Sequence, residues 1–198
     1  MSTLEEQLQS AGLQVVDHCE RLTSYSADLL ENSPLLEDFT PAEADVLGAS
    51  MLLVHAEPGQ VIIREGDAGD WMLLVLKGTV DVTKRIELRP DDAQAGASST
   101  MLPEPLPPAV PEPAYSRVAV LQRGAAIGEM SMLDSGLRYT TCTAIDAVEA
   151  GVLGRRAIAL LIRDHPAVGA KLLVKITQLM AQRLRNTGNQ LVRMLQKS

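Results

Sequence analysis

Between Met51 and Thr83 the chain runs in short β-favouring stretches cut by Pro58-Gly59, by the interval from Gly66 to Gly69, and by Gly78. Strands of four to six residues with glycine corners suit a small antiparallel roll. The same texture resumes at Val118 to Leu121, turns at Arg123-Gly124, and closes with Cys142 to Ile145 and Ala150 to Leu153. The fold class expected from this pattern is α+β: a jelly-roll-like β-roll, or double-stranded β-helix, flanked by helices.

Helical periods mark the flanks. Leu4, Leu8, Val15, Val16, Cys19, Leu22 and Leu29 recur close to such a period, so one or two amphipathic helices are expected over residues 4–30. Ser33-Pro34 breaks that run. Thr40-Pro41 with Glu43 then supplies an N-cap, a proline at the first helical position and an early acid, predicting a short helix to about Ala49. Helices are also expected from Arg155 to Arg163 and from Val168 to Gln196, separated by His165-Pro166. The last one carries Leu173, Ile176, Met180, Leu184, Thr187, Leu191 and Met194 at steps of three and four, the narrow stripe of a dimer seam. The organisation read from this is an N-terminal helical segment (1–33), a β-roll (34–166) and a C-terminal helix (167–198). Residues 85–115 interrupt the roll with seven of the chain's eleven prolines, which predicts an excursion between two strands.

Several function classes lose support on composition. No apolar run exceeds six residues, as in Trp71 to Leu76, far short of the ~20 that a spanning helix needs. The start, Met-Ser-Thr-Leu-Glu-Glu, lacks the basic residues of a secretory signal, so cytoplasmic residence without membrane contact is expected. Cys19 and Cys142 are too few for a disulfide framework, and His18, His55 and His165 are too scattered for a metal centre. No nucleophile and base pair is visible, so no enzymatic activity and no cofactor are expected. Residues 1–45 hold ten acids against Arg21 alone, whereas six bases and no acid follow Asp164. With a net charge of −7 and that acidic segment to cover it, the basic helix is expected to lie beside the acidic one rather than on nucleic acid.

Residues 127–141, Ile-Gly-Glu-Met-Ser-Met-Leu-Asp-Ser-Gly-Leu-Arg-Tyr-Thr-Thr, set Glu129 and Arg138 nine positions apart around a short helix led by Gly128. A helix start favours an anion, and glycine lets the backbone approach it. Arg138 offers a fixed fork that matches two phosphate oxygens. Glu129, an acceptor only, would repel that phosphate unless its carboxylate met a hydroxyl donor such as a ribose 2′-OH. A plainer alternative stays open: Glu129 merely starts a helix, and Arg138 pairs with Asp134 on the surface.

The segment resembles the phosphate-binding cassette of the cyclic nucleotide-binding domain family, which includes the catabolite activator protein and the regulatory subunits of protein kinase A. Pro58-Gly59 through Asp70 and Leu73 through Val82 resemble that family's glycine-marked first strands. The resemblance covers about residues 33–190. It implies a cyclic nucleotide site made by Gly128, Glu129, Met130, Ser131, Arg138, Tyr139 and Thr140, with Glu129 on the ribose, Arg138 on the cyclic phosphate and the kinase-type spacing. Ser131, Tyr139 and Thr140 stand where the kinase cassette has alanine. The segment Leu179 to Gly188 resembles the activator's long helix, so Thr187 carries over as a contact to the base, and cyclic AMP is favoured with cyclic GMP as the other candidate ligand. The implied function is a homodimeric sensor that relays nucleotide binding through repacking of the C-terminal helix to a downstream protein. Chain length leaves no room for a winged helix-turn-helix after that helix, so no DNA-binding domain is expected. A ligand-free protein-interaction module on the same fold is the alternative, motivated by Tyr139, Gly188 and the proline-rich stretch.

Overall fold

A computed structural model describes residues 3–19, 21–25, 28–86 and 114–196. In chain order the elements are α1 (Leu4–Ser10), β1 (Gln14–His18), α2 (Leu22–Tyr25), α3 (Leu29–Asn32), α4 (Pro41–Ala49), β2 (Leu52–Ala56), β3 (Val61–Ile63), β4 (Trp71–Lys77), β5 (Val80–Arg85), β6 (Tyr115–Leu121), β7 (Ala126–Ile127), α5 (Glu129–Asp134), β8 (Thr141–Ala144), β9 (Val148–Gly154), α6 (Arg155–Asp164) and α7 (Pro166–Leu195).

The strands form two antiparallel sheets, ordered β1-β2-β9-β4-β7 and β3-β8-β5-β6. Burial alternates residue by residue along β2, whereas β4 is buried from Trp71 to Leu76 without a break. Its surroundings explain the difference. Leu73 and Val75 point between the sheets, against Val54, Val80, Val82, Ile127 and Val152. Met72, Leu74 and Leu76 face the other way, under helices that supply Leu22, Leu47, Ile158, Leu172 and Ile176. A strand covered on both faces has no polar side to show.

One expectation changes in the N-terminal segment. α1, α2 and α3 are helical, as expected over residues 4–30, but β1 interrupts them. Gly12, at φ +80°, turns the chain, and β1 then adds to the edge of the first sheet by pairing with β2. Four of its five residues are exposed, so the strand is made by edge pairing and not by burial of one face. The proline-rich stretch lies outside the described residues from 87 to 113; β5 leads into it and β6 out of it.

α4 begins as its sequence predicts: Thr40 and Glu43 form a capping box, with Pro41 in the first turn. Glu43 also accepts a hydrogen bond from Lys171 of α7 at 2.6 Å, and the buried Lys175 pairs with Asp38 and, at 3.5 Å, with Glu37. The first half of the basic helix therefore does lie on the acidic N-terminal region. The Lys171 bond, with the cap, holds the Glu43 carboxyl down at about 2. Because the folded value is below the ordinary 4.5, this contribution is complete above about pH 4.5 and disappears as pH falls toward 2. The gap in thermal midpoint between the native chain and Glu43→Gln should be widest near neutrality and close across that window. A gap that does not change with pH would contradict the assignment.

Candidate nucleotide-binding site

β7 hydrogen-bonds along β4, with Leu73 opposite Ile127 and Leu74 opposite Ala126, and so delivers Gly128 to a fixed place at the rim of the roll. Gly128 takes φ +85°, α5 runs for six residues, and Ser135 ends it at φ 62°. The return path is pinned to the glycine loop before β4. Ala68 bridges Leu137, the Arg138 amide donates to the Asp67 carbonyl at 2.8 Å, and the Gly66 amide donates to the Arg138 carbonyl at 2.9 Å. A loop distant in sequence thus holds the Arg138 backbone from both sides.

The Arg138 side chain turns inward and is 4% exposed. Its Nη1 donates to the Gly128 carbonyl at 2.9 Å and to Ser131 Oγ at 2.7 Å, and the guanidinium carbon stands 4.3 Å from the Trp71 ring centre. The surface pairing with Asp134 is therefore not made; Asp134 accepts from the Gly136 amide instead. A Cβ on Gly69 would fall 2.5 Å from Nε and Nη2, and one on Gly128 would fall 2.6 Å from Nη1. Both glycines make room for the arginine itself, which refines the expectation that Gly128 serves approach to an anion. Burial draws the guanidinium below its ordinary value, opposed by the carboxylates of Asp70, Glu129 and Asp67, yet an arginine stays charged.

Glu129 is 1% exposed. One carboxylate oxygen, Oε1, accepts from Arg183 Nη1 on α7, and Arg183 Nη2 donates to the Ala126 carbonyl at 2.6 Å. The sequence reading does not single out Arg183. The one signal available there is a cassette acid that, once buried, needs a cation, with the basic C-terminal helix as a source.

Two buried side-chain polar atoms among the described residues have no hydrogen-bond partner, Glu129 Oε2 and Arg138 Nη2. One is an acceptor on a carboxylate, the other a donor on a guanidinium. Leaving such groups unmet costs about 1–3 kcal/mol each, more when charged, so buried orphans call for an explanation. A cavity of about 540 Å³ reaches Arg138 from the side of α1, between Gln7, Ser10, Arg64, Asp67 and Arg155, and does not include Glu129.

The other expected site residues divide. Ser131 is buried and bonded to Arg138. Thr140 is half-buried beside Cys142. Met130 is exposed, and Tyr139, at 64% exposure, lies outward under Lys84, whose Nζ is 4.2 Å from the ring centre. Thr187 bonds to the Arg183 carbonyl on the part of α7 where every residue from Gln182 to Gln196 is exposed, so it is not brought to the cassette within one chain. Burial pushes the Cys142 and Cys19 thiols up to about 11, which keeps both protonated at neutral pH. Among the described residues no group of three His, Cys, Asp or Glu side chains could hold a metal ion, and no helix is long and apolar enough to cross a membrane.

No protein-family model matches the chain. A solved cyclic nucleotide-binding domain from Methylobacillus flagellatus superposes with a TM-score of 0.69 at 27% identity, covering 94% of this chain and 89% of that one. The fold is that of a cyclic nucleotide-binding domain. Among curated relatives of this domain, a CRP-like cAMP-activated global transcriptional regulator of Mycobacterium tuberculosis is 23% identical over 164 residues, 83% of this chain and 61% of the relative. A cAMP-dependent protein kinase regulatory subunit of Yarrowia lipolytica is 27% identical over 154 residues, 76% of this chain and 34% of the relative. The chain thus spans about three-fifths of the bacterial relative and a third of the yeast one. The two relatives are, by name, a cAMP-activated transcriptional regulator and the regulatory subunit of a cAMP-dependent kinase.

Proposed function

We propose that the chain is a cyclic nucleotide sensor, with cyclic AMP as its ligand, and not an enzyme. The observation that carries this is the pair of buried orphans on Glu129 and Arg138, an acceptor and a donor with no partner among the described residues. A ribose hydroxyl can donate to Glu129 Oε2 while a cyclic phosphate accepts from Arg138 Nη2, so one molecule meets both demands. The outward Tyr139 removes the main motive for a ligand-free platform, since its ring does not fill the space beside Arg138.

The output path starts at Arg183. It bonds Glu129 at one end and belongs to α7 at the other, so a ligand that draws on Glu129 also acts on the helix. The exposed half of α7 carries Leu184, Leu191 and Met194 as an outward stripe. In this reading a second copy covers that stripe, Thr187 comes to the base, and repacking of α7 passes the signal to a protein partner. Leu184→Asp with Leu191→Asp should halve the mass in sedimentation equilibrium while the β-roll still folds; a native chain that sediments as a monomer would exclude the homodimer. The ligand assignment itself is tested by calorimetric titration of ligand-stripped protein with cyclic AMP and cyclic GMP. Saturable binding that is tighter for cyclic AMP is expected, and flat heats with an unchanged melting temperature would return the module reading.

A further inference from the structure

We propose that Ser131 is a latch on Arg138 that sets the affinity of the site, an inference that rests on the reading of Arg138 as the phosphate ligand. A guanidinium has five N–H groups, and most of those on Arg138 are already committed or crowded. Both hydrogens of Nη1 are in use, one on the Gly128 carbonyl at 2.9 Å and one on Ser131 Oγ at 2.7 Å. The edge formed by Nε and Nη2 lies against Gly69, so close that a Cβ there would stand 2.5 Å from each nitrogen. The edge left for a two-point grip on phosphate is Nη1 with Nη2. Nη2 has no partner among the described residues, but Nη1 can join it only by giving up a bond it already holds.

The Gly128 carbonyl is backbone, and it cannot be varied without moving the chain. Ser131 is a side chain, 3% exposed, at a position of α5 where its hydroxyl has little else to do: its own reach to the Gly128 carbonyl is a long 3.4 Å. In this proposal the Ser131 bond is the one that gives way, so phosphate and Ser131 compete for the same hydrogen. A contact made before binding and lost on binding lowers affinity by its own worth, since a ligand gains only the difference between the two states. The Trp71 face does not compete in this way, because a cation over a ring can keep that contact while its edge meets an anion.

The test is titration of cyclic AMP into the native chain, Ser131→Ala and Ser131→Cys, with the melting temperature of each stripped protein measured alongside. The latch predicts opposite signs in the two readouts. Ser131→Ala should bind roughly tenfold tighter, the equivalent of about one charge-assisted hydrogen bond, while melting at a lower temperature without ligand. Ser131→Cys, a weaker acceptor, should fall between. If the native chain binds and Ser131→Ala binds equally or more weakly, the latch is wrong and Ser131 is a bystander or a donor to the ligand. If neither binds any cyclic nucleotide, the site assignment falls and takes the latch with it.

Discussion

Arg138→Ala is expected to lower the affinity for cyclic AMP at least a hundredfold while leaving a cooperatively folding β-roll. Two parallel bonds from a guanidinium to phosphate oxygens are worth roughly 3–6 kcal/mol together, and a hundredfold loss is about 2.8 kcal/mol. The fold should survive because the side chain is not part of the apolar interior. It sits between Trp71 and the glycine loop, where its removal leaves the Gly128 carbonyl and the Ser131 hydroxyl with only long 3.4 Å contacts. That costs about 1–3 kcal/mol, partly offset because a buried charge no longer has to be desolvated. Titration of the variant together with its thermal unfolding separates the two effects. Binding undiminished in a folded variant would detach Arg138 from the ligand altogether.

Arg183→Ala is expected to act on stability and on signal output together. Removing one partner of a buried ion pair costs about 3–5 kcal/mol when both are desolvated. Here Glu129 is buried but the Arg183 side chain is 43% exposed, so a loss of about 2 kcal/mol is the better expectation. Glu129→Gln should recover part of that loss in the double variant, because a neutral amide no longer needs the cation. The second consequence concerns α7: with the Arg183 bonds to Glu129 and to the Ala126 carbonyl gone, ligand should no longer alter amide exchange in the exposed half of the helix. An Arg183→Ala chain with native stability and a native ligand response in α7 would show that the signal travels elsewhere.

Both residues illustrate what the amino acids reveal alone and what they withhold. The roll is legible because its corners are glycines that need unusual backbone, as at Gly59, Gly66, Gly78 and Gly124, all at positive φ. The α4 start is legible because Thr40, Pro41 and Glu43 each have one physical use in that order. β1 is not: its sequence fits a helical period, and what makes it a strand is the free edge of β2, a partner far along the chain. The cassette residues are legible by type and spacing, but their directions are not. Tyr139 and Met130 turn to solvent, Ser131 turns onto Arg138, and Gly69 makes room for an arginine on a distant segment. Arg183 is hidden for the same reason, since its partner lies 54 residues earlier and no local pattern joins them. The stripe on α7 is legible along its length, but only the structure divides it, with Ile176 in the core of its own chain and Leu184 at 75% exposure.

In the proposed function one ligand meets Glu129 and Arg138 at once, and the comparison that tests it most directly is calorimetric titration of the same stripped protein with cyclic AMP and with its 2′-deoxy analogue. Saturable binding of cyclic AMP, weakened roughly tenfold or more when the 2′-hydroxyl is absent, is the predicted result, because the analogue leaves the Glu129 oxygen unmet while the phosphate is still held. Equal affinity for the two nucleotides, or no binding of either, would contradict it.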